Sequence, residues 1–72
     1  MDNEKIKRAR EEAIYKIGEL IDNDDFGGMT TGMCKVLGIS MDQFLIYAQM
    51  PAHNQRNIIV SLWEQLSKEL YS

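Results

Sequence analysis

The chain contains a single cysteine, Cys34, so it cannot form an internal disulfide. It also contains a single histidine, His53, and therefore has no Cys/His cluster that could hold a metal ion. Chains of about seventy residues bury only about 60% of the surface that they expose when unfolded, and they usually need a disulfide, a metal or a partner chain. Since the disulfide and the metal site are excluded, a partner chain is the remaining support. The sequence therefore favours a homodimer or an obligate binder of another protein.

Neither a strong excess of one charge nor a long apolar run is present. The formal net charge is −3 over 72 residues. This is the wrong sign for a polyanion binder and too small for a mimic of nucleic acid. The N-terminus is charged where a signal peptide would be apolar, and no run approaches the length that spans a membrane. Together with the lone thiol, these features predict one small acidic domain over residues 1–72, located in the cytoplasm.

Groups that carry out catalysis are scarce. No paired carboxylates, phosphate-binding glycine loop or metal triad stands out, and the one candidate nucleophile–base pair is Cys34 with His53. That pair requires the fold to bring the thiol and the imidazole within hydrogen-bonding distance. The acidic loop 22–28 partly matches a calcium-binding loop, but Met33 stands where a bidentate glutamate would close it. We expect a protein that is not an enzyme, with no cofactor, no metal and no small-molecule substrate.

Helical periodicity, by contrast, runs along the whole chain. The sequence predicts four helices, which begin near residue 2 or 3, near 29–31, at 41 and between 51 and 54, and end near 21, 37, 50 and 70. The first helix has apolar residues at three- and four-residue spacing, namely Ile6, Ala9, Ala13, Ile17, Leu20 and Ile21. Gly18 interrupts this stripe, which indicates that another helix crosses closely there. The expected fold is all-α, a compact bundle of four short helices.

A helix end and a helix start stand back to back near residue 38. Gly38 can adopt the left-handed conformation that ends a helix. Ser40 can accept a hydrogen bond from the backbone of Gln43, which begins the next helix. Ile39 and Phe44 occupy the two positions of a hydrophobic staple, which fixes the angle between the helices.

The residues around this corner are similar to a helix-turn-helix motif. A small residue, Cys34, lies four positions before Gly38, and apolar residues follow it at Ile39, Phe44 and Tyr47. The resemblance covers about twenty residues and implies a transcriptional regulator that binds DNA as a dimer through the third helix. The third helix contains no basic residue, whereas a recognition helix needs side chains that reach bases and cations that hold phosphates. Lys35 and Arg56 are the nearest cations, so nucleic acid remains the disfavoured alternative.

The third helix also has an unusually apolar outward face. If Phe44 and Tyr47 point inward, the residues that point outward are Met41, Asp42, Leu45, Ile46 and Gln49. Apolar patches of this kind mark protein-binding surfaces on small soluble proteins. Trp63 on the fourth helix is a second candidate contact, since tryptophan is enriched among interface anchors, although its helical spacing from Ile59 and Leu66 is more typical of a core residue.

Two interpretations of this face remain open. In one, the third helix is enclosed by the other three, as a helix that is apolar all round requires. In the other, it binds a protein partner or a second copy of the chain. We favour the second, a non-catalytic regulatory or inhibitory interaction protein.

Overall fold

The computed structural model describes residues 3–71, and all regular structure within this range is helical. Helix α1 spans Asn3–Asp22, α2 spans Thr31–Leu37, α3 spans Met41–Ala48 and α4 spans Ala52–Tyr71, with a short 3₁₀ turn at Phe26–Gly28 between α1 and α2. The predicted all-α bundle of four helices is confirmed. The third helix ends two residues earlier than expected, because Gln49 already serves as its C-cap.

The two long helices, α1 and α4, form an antiparallel pair of 20 residues each. The pairing direction follows from two contacts, since Trp63 reaches Ile14 and Arg56 reaches Ile21. Helix α2 packs against both long helices, and α3 packs against α2 and α4. A helix of 20 residues is about 30 Å long. The molecule is accordingly elongated, with extents of 42 × 21 × 18 Å.

The core takes residues from every helix and from both connections that flank α2. Its buried side chains are Ile14, Ile17, Ile21, Met29, Cys34, Leu37, Ile39, Phe44 and Ile59. The predicted stripe of α1 is confirmed at Ile17 and Ile21, and it needs three corrections. Ile14 belongs to the buried face although it was not in the predicted stripe. Ile6 and Ala9, which were in it, are exposed, Ile6 by 56%.

The exposure of Ile6 follows from the way the long helices are paired. Since residue 14 lies opposite 63 and residue 21 opposite 56, residue 6 lies opposite the last described residue, 71. Residues 3–10 are all exposed, so the first turns of α1 extend beyond the packed part of the bundle.

Gly18 lies under the indole ring of Trp63, where α1 contacts α4. A Cβ atom at this position would stand 3.0 Å from Cζ2 of Trp63, which is too close for an undisturbed ring. The indole N–H of Trp63 donates to the carbonyl of Ile14 at 2.8 Å and holds the ring in this place. The close helix crossing predicted from Gly18 is confirmed.

The corner between α2 and α3 has the predicted geometry. Gly38 has φ +84°, in the left-handed region. The N–H of Ile39 donates to the carbonyl of Cys34 at 3.0 Å, which is the hydrogen bond of a Schellman motif. Ser40 Oγ accepts from the N–H of Gln43 at 3.1 Å and caps α3. Side-chain capping also starts α2, where Thr30 is the capping residue.

Replacing Gly38 by alanine should lower the free energy of unfolding by about 1 kcal/mol, because an L-residue is strained at this φ. No heavy atom lies within 4 Å of the new Cβ, so the cost comes from the backbone conformation alone. Chemical denaturation measures the change. Gly32→Ala in the first turn of α2 is the control and should be neutral or slightly stabilising. Equal losses in both variants would contradict this account of the corner.

Candidate functional site

The outward face of α3 exposes large apolar side chains. Leu45 is 52% exposed and Ile46 is 58% exposed, whereas Phe44 points into the core. Met50, just beyond the helix, is 38% exposed. The interpretation in which α3 is enclosed on all sides is therefore wrong.

Four neighbouring side chains make up this face, and we call them the α3 surface: Leu45, Ile46, Gln49 and Met50. Residues four apart on a helix are neighbours, so Leu45 adjoins Gln49 and Ile46 adjoins Met50. Asp42 is exposed one turn earlier on the helix. Met41 is half-buried and packs against the core, so it reaches solvent only in part.

The α3 surface lies in a stretch of the chain without formal charge. Between Gln43 and Gln55 the sequence contains no Asp, Glu, Lys or Arg, although 26% of the whole chain is charged. Surfaces that remain in water are usually rich in such residues. An exposed apolar patch flanked by polar residues, here Asp42 and Gln49, is the pattern of a protein-binding surface.

Trp63 lies against α1. Its ring is half-buried over Gly18, and it lines a groove of about 460 Å³ between α1 and α4. The other lining residues are Ile14, Tyr15, Gly18, Glu19, Ile21, Asp22 and Ser67. No residue of α3 lines this groove. The structure thus brings the predicted α3 residues together and places Trp63 in a different surface feature.

The side chain of Arg56 forms contacts with other residues of the same chain. Its Nη1 donates to the carbonyl of Ile21 at 2.8 Å and contacts Oδ1 of Asp24 at 2.7 Å. The guanidinium therefore holds the C-terminal end of α1 to α4. Of the two cations that the DNA-binding alternative assigned to phosphates, Lys35 is exposed and Arg56 is occupied by these contacts.

Cys34 and His53 lie in contrasting environments. Cys34 has no exposed area, and burial raises the pKa of its thiol. A raised pKa disfavours the thiolate, which is the form that acts as a nucleophile. His53 is exposed at the start of α4. These environments are the opposite of what an activated cysteine requires.

Two side-chain contacts were missed by the sequence analysis. The contact of Arg56 with the end of α1 links residues 35 positions apart, and no local pattern signals it. Tyr15, which is 69% exposed, is hydrogen-bonded to Glu19, and this bond to a carboxylate raises the pKa of the phenol. The four-residue spacing of Tyr15 and Glu19 on a helix was the available signal.

Within residues 3–71, no three His, Cys, Asp or Glu side chains are grouped so that they could hold a metal ion. None of the helices described is both long enough and apolar enough to cross a lipid bilayer. Comparisons of the chain with protein-family models, with curated proteins and with solved structures find no match. Its function is therefore inferred from the chemistry of its own surfaces.

Proposed function

We propose that the protein is a non-catalytic interaction protein that binds a protein partner, or a second copy of itself, through the α3 surface. In this role it acts as a regulatory or inhibitory adaptor, and its single reduced thiol supports a location in the cytoplasm. The observation that carries the proposal is the exposure of Leu45 and Ile46, side by side on the outward face of α3.

The energetics favour covering this face. Full burial of a leucine or isoleucine side chain is worth about 1.5–3 kcal/mol, and roughly half of each side chain here is still in water. Each side chain therefore has about 1 kcal/mol to gain from an interface. A small domain has little stability to spare, and a few central side chains usually supply most of the binding energy.

The test is the double variant Leu45→Glu, Ile46→Glu. Because both side chains are exposed, the variant should keep its helical circular dichroism, and each substitution should change the free energy of unfolding by about 0.5 kcal/mol or less. Binding should be lost, since two carboxylates would have to be buried at the interface. Light scattering over a range of concentrations measures self-association. Capture on the immobilised chain, compared with capture on the double variant, measures partner binding.

Ile6→Glu is the matched control, because Ile6 is 56% exposed and lies on α1. It should leave both self-association and capture unchanged. An unfolded double variant would show that the α3 residues belong to the core, and unchanged binding by a folded double variant would exclude the α3 surface. Duplex binding that is sensitive to salt and weakened by Lys35→Ala would instead favour the DNA-binding alternative.

A further inference from the structure

The groove between α1 and α4 has an unusual combination of walls. Tyr15 and Trp63 are aromatic, and the Trp63 ring packs over Gly18, where it fills the room that a side chain would need. Trp63 is held in place by its hydrogen bond to the carbonyl of Ile14. The groove is therefore lined by an aromatic ring whose position is fixed. Two isoleucines add apolar wall, and three polar residues complete the lining.

The open edge of this groove is acidic. Glu19 and Asp22 are exposed lining residues, and neither forms a salt bridge to a cation within the described part of the chain. Two cations of α1 and α4 form ion pairs elsewhere, since Lys16 contacts Glu12 and Arg56 contacts Asp24. Glu19 also accepts the hydrogen bond from Tyr15, which places the two groups together.

We propose that this groove binds an arginine side chain of a partner protein. An aromatic face attracts a cation, and the planar guanidinium stacks on such a face while its N–H groups reach carboxylates. The apolar part of the groove suits the aliphatic stem of the same side chain. Charge complementarity thus selects the occupant, because neither carboxylate of the edge forms an ion pair within residues 3–71 and no lining residue is a cation.

This site is independent of the α3 surface, since none of its lining residues lies on α3. It goes beyond the proposed function by naming a recognised side chain. A negative result for the groove does not affect the proposal for the α3 surface, and the reverse also holds, because the two proposals are tested with different variants and different probes.

The probe is the peptide acetyl-Gly-Arg-Gly-amide, titrated into the full chain. Trp63 is the only tryptophan, so its fluorescence reports directly on the groove. We expect saturable quenching with a dissociation constant on the order of millimolar, as a single side chain supplies all contacts. The same peptide with citrulline keeps the shape and removes the charge, and it should bind at least about fivefold more weakly.

Variants of the protein give the matching comparison. Glu19→Gln with Asp22→Asn should weaken arginine binding by about fivefold or more, because the charges at the edge are lost. Glu4→Gln removes a carboxylate about 22 Å away along α1 and should leave binding unchanged. Thermal unfolding checks that each variant is folded. Absence of saturable quenching, equal binding of the citrulline peptide, or an equal effect of Glu4→Gln would overturn the proposal.

Discussion

Replacing Ile59 by alanine should lower the free energy of unfolding by about 2–5 kcal/mol. Ile59 has no exposed area and belongs to the central apolar cluster, so the shortened side chain leaves a cavity among residues of the other helices. A domain of this size has a total stability of about 4–11 kcal/mol. A single substitution at this position can therefore remove about half of it.

Urea unfolding followed by circular dichroism measures this loss. Ile6→Ala is the matched control, because the same atoms are removed from a side chain that is 56% exposed and lies outside the α3 surface. The control should lose about 0.5 kcal/mol or less. Similar losses at both positions would mean that Ile59 is not at the centre of the core.

Replacing Arg56 by methionine should lower the free energy of unfolding by about 2 kcal/mol. A hydrogen bond from a charged donor contributes about 1.5–3 kcal/mol, and Arg56 makes one to the carbonyl of Ile21 in a partly buried position. That carbonyl also accepts the N–H of Asp24 at 3.1 Å, so it keeps one partner in the variant. The expected loss is therefore in the lower part of the range.

Asp24→Asn separates the two contacts of Arg56. It removes the charge of the exposed ion pair and leaves the bond to Ile21 in place. Exposed ion pairs contribute about 0–1 kcal/mol, so this variant should be clearly more stable than Arg56→Met. Thermal unfolding of both variants gives the comparison. If they lose the same stability, the ion pair and not the carbonyl contact joins the two helices.

Local signals made much of this fold predictable from the sequence. The Gly38–Ser40 corner depends on residues within five positions of each other, and its hydrogen bonds are present in the structure. The missing side chain of Gly18 likewise indicated contact with another helix. The exposure of Leu45, Ile46 and Gln49 was predicted because Phe44 fixes which side of α3 faces inward, whereas Met50 was not among the predicted residues.

Features that depend on distant parts of the chain were not predicted. The periodicity of α1 could not tell that Ile14 is buried and Ile6 exposed, because this depends on where α4 lies along α1. The contact of Arg56 with Ile21 and the groove of Trp63 also depend on how α4 packs along α1. Each joins segments that are 35 or more positions apart, and a single sequence carries no direct signal of such pairs.

The α2–α3 corner also bears on the order of events during folding. Its hydrogen bonds close loops of only a few residues, whereas docking of Trp63 onto Ile14 must close a loop of about fifty. Ordering a longer loop costs more chain entropy before any contact is gained. The α2–α3 corner should therefore form first, and the packing of α1 against α4 should follow as the later step.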